Sequence, residues 1–257
     1  MAEPMLEVSG LHKRFGGLQA VCDCTLEVKA GTITGLIGPN GAGKTTLFNL
    51  ITGFHKPDHG RILFQGRRID GLAPHQVFRR RLYRTFQIPR EFAQMTVLEN
   101  LMLIPAGQVG EGILSTWFRP GRVRSQERAL RDRALEVLEF VELIDLRDEY
   151  AGSLSGGQKK LLELAKSLMA EPEMVLLDEP SAGVNPTLTR KLVENVRRLC
   201  VEQGLTFFLI EHDMNLVMNL CNPIIVMSEG RKLAEGPPER VRGDPRVLEA
   251  YLGGQYR

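Results

Sequence analysis

The sequence predicts an α/β fold with a mostly parallel sheet, an antiparallel β portion at its N-terminus and an inserted helical subdomain. Three observations carry this. Apolar runs of strand length alternate with helical stretches on either side of a central block. The run at residues 32–37 leads straight into a glycine-rich turn that opens a helix. Between residues 88 and 170 strand character gives way to helical patterning. A chain of 257 residues is long enough for one large domain or for a core with a subdomain. The expected division is a core of about 1–87 and 171–257, with the helical subdomain at about 88–170.

Each element has its own signal. Residues 6–64 read as short strands with Gly-rich turns and one helix, 44–52. Thr96-x-x-Glu99 is a capping box that opens a helix running through Leu103. Leu130, Ala134, Val137, Leu138 and Val141 share one helical face. The Gly- and Pro-rich residues 105–121, with the single tryptophan Trp117, read as a surface insertion. Residues 174–177 form an apolar strand, and Asn185-Pro186 caps a helix that ends at Gly204. The strand 206–210, a short helix capped by Asp213, the strand 224–227 and a last helix starting at Asp244-Pro245 complete the order.

Composition excludes several classes. Hydrophobic residues at 43% and charged residues at 25% match an ordinary globular protein. A formal charge of +2, with Lys and Arg scattered apart from Arg79, Arg80 and Arg81, argues against nucleic acid as a partner. Those three arginines read as a solvated helix end. Residues 1–6 contain Glu3 and no apolar core, so no signal peptide is expected. The longest apolar runs, such as 207–210 and 224–227, are strand-length, far below the ~20 residues that span a bilayer. Cys22, Cys24, Cys200 and Cys221 suggest neither a disulfide framework nor a zinc site. Cys22-x-Cys24 reads as a pair of buried structural thiols, and the whole as cytosolic.

Gly38-Pro39-Asn40-Gly41-Ala42-Gly43-Lys44-Thr45 fits the P-loop pattern, with a strand before it and a helix after. Its glycines let backbone N–H groups turn inward around phosphate oxygens, and the helix N-terminus adds partial positive charge. Lys44 is expected to reach the β- and γ-phosphates of a nucleoside triphosphate, and the Thr45 hydroxyl to coordinate Mg²⁺. Asp178 and Glu179 end the apolar strand 174–177, where ligands sit in open α/β sheets. Asp178 is expected in the Mg²⁺ shell. Glu179 is expected to orient and deprotonate the attacking water.

Leu154-Ser155-Gly156-Gly157-Gln158 opens another helix, with Ser155 as N-cap and glycines baring N–H groups at a positive helix end. This is a second anion site far from the first. If it is more than an ordinary serine-capped helix, the economical arrangement is a head-to-tail dimer in which it covers the ATP of a second copy.

Together with Gln87, Leu177-Asp178-Glu179-Pro180, Ser181-Ala182-Gly183-Val184-Asn185 and Glu211-His212-Asp213, these motifs resemble the ATP-binding cassette family, in its order and over essentially the whole chain. The resemblance implies an active ATPase that drives a membrane transporter, with ATP and Mg²⁺ as cofactors. It implies that Phe15 stacks on adenine and that Gly38, Pro39, Asn40, Gly41, Ala42, Gly43, Lys44, Thr45 and Thr46 hold the phosphates. Gln87 would touch Mg²⁺ and the attacking water and begin the segment, 88–95, that faces a permease. Ser155, Gly156, Gly157 and Gln158 would close on the opposite γ-phosphate, and His212 would be the switch histidine that fixes Glu179. Val184 stands where this family usually has leucine, a volume-conserving change.

Finer stretches narrow the likeness. Phe15-Gly16-Gly17-Leu18-Gln19-Ala20-Val21, Arg84-Thr85-Phe86-Gln87, Met95-Thr96-Val97-Leu98-Glu99-Asn100-Leu101 and the run from Asp244 to Gly253 resemble the longer ATPase of branched-chain amino acid importers. Cys221-Asn222-Pro223 departs from that pattern. The implied partners are a second ATPase subunit, membrane permease subunits and, indirectly, a substrate-binding protein, at the cytoplasmic face of the membrane. Import of urea, short amides or other amino acids, lipopolysaccharide export and soluble non-transport roles stay open as alternatives.

Overall fold

The computed structural model of the chain describes residues 4–85, 91–108 and 120–253. It divides into two compact units: 1–87, 173–182 and 196–257 in one, 88–172 and 183–195 in the other. In chain order the first unit opens with strands β1 (Pro4–Phe15), β2 (Leu18–Lys29) and β3 (Ile33–Ile37), then helix α1 (Lys44–Ile51). Strands β4 (His59–Phe64) and β5 (Arg67–Arg68), helix α2 (Pro74–Phe78) and strand β6 (Leu82–Arg84) follow. Next come α3 (Val97–Met102), α4 (Pro120–Phe140) and α5 (Gly156–Met169). The chain continues through β7 (Met174–Asp178), α6 (Pro186–Gln203), β8 (Thr206–Ile210), α7 (Met214–Leu220) and β9 (Ile224–Ser228). It closes with β10 (Arg231–Gly236), α8 (Pro238–Arg242) and α9 (Pro245–Gly253).

Burial separates the two kinds of sheet. Along β2, Val21, Cys24, Leu26 and Val28 are buried while Asp23, Thr25, Glu27 and Lys29 are exposed, the two-residue alternation of a sheet with one wet face. β2 accordingly joins the four-stranded antiparallel sheet β2-β1-β4-β5. Every residue of β3, β7 and β8 is buried, as strands covered on both faces must be. They lie inside the six-stranded sheet β10-β9-β3-β8-β7-β6, parallel except for β10. The register sets Asp178 beside Ile210, and Ile210 beside Leu36. The ends of β7, β8 and β3 therefore stop at one level, which positions the site.

The pattern of the sequence did not announce β6 or β10. β6 is three residues long, too short for periodicity. β10 (Arg-Lys-Leu-Ala-Glu-Gly) is polar because it is the sheet edge, where charge discourages further pairing. Arg79 does end α2, but Arg81 takes a left-handed φ of 67° and pairs with Glu173 at 2.8 Å. Cys24 is buried and its thiol is pushed up to about 11, chiefly by burial; Cys22 is half-buried and receives a hydrogen bond from Arg231 Nη2 at 3.0 Å. Trp117 and most of the expected insertion lie outside the described residues.

In the helical unit, α3, α4 and α5 pack on one another, and Ala134, Val137, Leu138 and Val141 are buried as their spacing requires. Thr96 and Glu99 exchange capping hydrogen bonds at 3.1 and 2.8 Å. Asn100 is fully buried. Its Oδ1 accepts from Phe92 N–H at 2.8 Å, and its Nδ2 donates to the carbonyls of Phe92 and Thr96 at 3.1 and 2.9 Å. The segment it holds is sewn to the chain ahead of α5 by Ala151 N–H to Met95 O (2.9 Å) and Gly152 N–H to Ala93 O (3.1 Å).

Two stability predictions follow from this packing. Phe208 of β8 is fully buried with its ring 5.1 Å from that of Phe48 on α1; Phe208→Ala is expected to cost about 3–5 kcal/mol in urea unfolding. Asn100→Leu strands buried backbone groups and is expected to cost ~1–3 kcal/mol, read by the same titration.

Candidate functional site

The glycine-rich turn leaves the end of β3 and closes on itself through Ala42 N–H to Pro39 O at 3.2 Å. Two of its glycines have steric reasons. A Cβ on Gly38 would lie 2.1 Å from the Met227 carbonyl oxygen, and one on Gly43 2.3 Å from that of Ala20. Both also have positive φ, 151° and 97°. Gly41 has φ 80° and open space beside it. Helix α1 starts with Gly43 as N-cap and no side-chain cap, so no side chain competes for the N–H groups of its first turn. Lys44 is buried, and its ammonium donates to the carbonyls of Gly38 (2.7 Å) and Pro39 (3.0 Å). Burial lowers its pKa, while the Glu179 and Asp178 carboxylates oppose the shift. Thr45 and Asn40 are exposed, and Pro39 and Thr46 half-buried. The last helix also reaches this turn. Burial pushes the Tyr251 phenol up, and the neighbouring Gly38 backbone opposes that shift.

At the end of β7, Asp178 is 5% exposed and its Oδ2 accepts from Arg84 Nη2 at 2.7 Å. Arg84 is as buried as its partner. Its other terminal nitrogen donates to Asn49 Oδ1 (2.6 Å) and Thr52 Oγ1 (3.3 Å), and its guanidinium stands over the rings of Phe48 and Phe54. One cation thus ties β6 and β7 to the helix behind the phosphate turn. In the sequence Arg84 stands out only as the first residue of the Arg84-Thr85-Phe86-Gln87 stretch. The signal available was an arginine ending a short run that carries only one buried apolar residue, Leu82.

Glu179 has a left-handed φ of 49°, and its N–H donates to Ile210 O at 2.9 Å. That strained turn aims its carboxylate at His212, whose Nε2 lies 2.9 Å from Glu179 Oε1. An ionised carboxylate only accepts, so Nε2 carries the proton in this contact. The structure therefore groups Lys44, Asp178, Glu179 and His212 around the ends of β3, β7 and β8. Thr45 and Asp178 offer a hydroxyl and a carboxylate, the hard oxygen donors that suit magnesium. Among the described residues no cluster of three His, Cys, Asp or Glu forms a metal site by itself. Phe15 is 42% exposed, edge-on to His55 at 5.1 Å, with Lys13 Nζ 5.5 Å from its centroid. Gln87 lies outside the described residues.

Ser155, Gly156, Gly157 and Gln158 belong to the helical unit. Ser155 Oγ accepts from Gln158 N–H at 3.4 Å, and Gln158 Oε1 accepts from Ser155 N–H at 2.8 Å, a reciprocal cap. The Gln158 carboxamide oxygen is thereby engaged inside its own chain, while its two N–H donors have no part in the cap. Gly157 is buried, and a Cβ there would lie 2.4 Å from Leu188 Cδ1 and 3.1 Å from Val184 Cγ1. Its glycine serves close helix packing, a reason the sequence did not show. Gly156 is exposed.

Comparison with known proteins accords with this geometry. The model of the ABC transporter family matches residues 21–182, and that of the branched-chain amino acid ATP-binding cassette transporter matches residues 231–257. The high-affinity branched-chain amino acid transport ATP-binding protein BraF of Pseudomonas aeruginosa is 43% identical over 98% of this chain and 99% of its own. The corresponding protein LivG of Escherichia coli is 44% identical with the same coverage. A solved structure described as the ADP conformation of an ATP-binding cassette of an ABC transporter superposes with a TM-score of 0.83 at 38% identity, covering 98% of this chain and all of that one. With a phosphate turn, a carboxylate–histidine pair and a capped second glycine turn in the right order, the chain belongs to the ABC transporter family, as one of its ATP-binding cassette ATPases.

Proposed function

We propose that this ATPase powers an importer of branched-chain amino acids from the cytoplasmic face of the membrane. In that setting it pairs head to tail with a second ATPase and docks on permease subunits served by a substrate-binding protein. One observation carries the transport reading: the likeness to branched-chain amino acid transport ATP-binding proteins runs the full length and includes residues 231–257. Peripheral docking agrees with the absence, among the described residues, of any helix long and apolar enough to cross a membrane.

The geometry supports a role for each described side chain, and Gln87 keeps the role that its motif implies. N–H groups of the turn and of α1 cradle the phosphates, with Lys44 drawn from Gly38 and Pro39 carbonyls toward phosphate oxygens that bind it more strongly. Phe15 offers an exposed face to adenine. Thr45, Asp178 and Gln87 hold magnesium, which neutralises charge on the β- and γ-phosphates when bound. Asp178 gives Oδ2 to Arg84 and keeps Oδ1 for that shell. Glu179 takes the proton of the attacking water, and His212 holds its carboxylate in place. Ser155 and the first-turn N–H groups at Gly156 and Gly157 close on the γ-phosphate of the opposite subunit, while Gln158 acts by fixing that turn. Closure of the pair moves the segment 88–95 against a permease helix, and hydrolysis lets the pair reopen.

Glu179→Gln is expected to lower kcat by about 10²–10⁴ while ATP binding persists. In gel filtration with ATP and Mg²⁺ the same variant should run as a dimer, alone or mixed with the second ATPase; strictly monomeric elution in both cases refutes the head-to-tail arrangement. Lys44→Ala should lose turnover by ~10²-fold or more through lost charge stabilisation; normal hydrolysis would overturn its assignment. Deleting this chain from its host should abolish uptake of labelled leucine, isoleucine and valine, with rescue by the wild type and none by Glu179→Gln. Unchanged uptake of all three refutes the substrate assignment and leaves the ATPase chemistry standing.

A further inference from the structure

Glu211 is 3% exposed, yet it is an acid at the end of the fully buried strand β8. Both of its oxygens are engaged by backbone. Oε1 accepts from Ser181 N–H at 2.8 Å, and Oε2 accepts from His212 N–H at 3.0 Å. Ser181 lies two residues beyond Glu179, and His212 is the other half of the pair with Glu179, at 2.9 Å. Two separate loops, one after β7 and one after β8, are therefore pinned to a single carboxylate just behind the pair they present.

The chemistry requires an ionised acid. A carboxylate accepts on both oxygens, whereas a carboxamide or a protonated acid turns a donor toward one of the two N–H groups. Hydrogen bonds from neutral N–H groups to a charged acceptor are the stronger kind, and burial strengthens them further. Glu179 is itself held in a left-handed turn whose N–H rests on Ile210 O at 2.9 Å. The loop needs a second anchor beyond that strained residue, and Glu211 supplies it through Ser181.

We infer that Glu211 is a positioning residue for ATP hydrolysis: its buried carboxylate locks the loops of Glu179 and His212 in register, so that His212 Nε2 meets Glu179 Oε1. Both of its oxygens are taken up by backbone N–H groups, so it acts through His212. This rests on the assignment of Glu179 as the base and His212 as its support.

The test is a double-mutant cycle in the full chain with ATP and Mg²⁺. Glu211→Gln is expected to lower kcat by ten-fold or more with KM for ATP changed less than two-fold. His212→Ala is expected to lower kcat at least as much, and adding Glu211→Gln to it should change kcat by less than two-fold. Losses that multiply in the double variant overturn the inference, because Glu211 then acts independently of His212. If His212→Ala alone hydrolyses ATP normally, the assignment of the pair itself fails, and the inference with it. Amide hydrogen exchange on the unmodified protein tests the same point without any variant. The N–H groups of Ser181 and His212 should be protected together, and exchange at the rate of open loop amides overturns it.

Discussion

The ammonium of Lys44 is the constraint on which the nucleotide end of this protein depends. It is buried, so burial works against its charge, and the chain answers with carbonyls from Gly38 and Pro39 and with the field of two carboxylates. The glycines around it have their own constraint, since a side chain on Gly38 or Gly43 would run into the Met227 or Ala20 carbonyl. The two acids cannot simply pair with Lys44, because both have other work. Asp178 is neutralised by Arg84 and Glu179 is held by His212. Each charge near the phosphate position has its own counterpart, which keeps the ammonium available to a more strongly charged ligand.

The parallel sheet makes that division possible. β8 lies between β3 and β7, so the lysine turn and the acids are one strand apart on either side of the histidine loop. The shared level of Leu36, Ile210 and Asp178 places Glu211 and His212 one and two residues beyond the sheet, in step with Glu179. A slip of one residue in β8 would turn Glu211 outward and an apolar side chain toward the loops.

Most of this was legible in the sequence for a physical reason. A phosphate turn, an apolar strand ending in two acids and a serine-capped glycine helix are local patterns, and each contains its own explanation. The capping box at Thr96 and the caps at Ser155, Asn185, Asp213 and Asp244 were equally local. What the sequence hid depends on partners far along the chain. Arg84 looks like a surface cation until β6 is set beside β7. Glu211 looks like one more loop acid until Ser181 comes to it. Gly157 looks like a bare N–H until Leu188 is packed against it, and the Gln158 oxygen looks available until it is found closed on the Ser155 N–H.

The phosphate turn lies early in the chain, but its walls are made late. Gly38 sits against the Met227 carbonyl, and Ala42 O accepts from Gly230 N–H at 3.1 Å. During synthesis the motif therefore leaves the ribosome long before the surfaces that shape it. A growing chain can form the antiparallel β1–β2 hairpin at once, since those contacts are local, but the cradle has to wait for β9 and the turn after it. Nucleotide binding in this protein is accordingly a property of the finished chain, and a polypeptide cut short before β9 carries the complete motif without the means to hold it open.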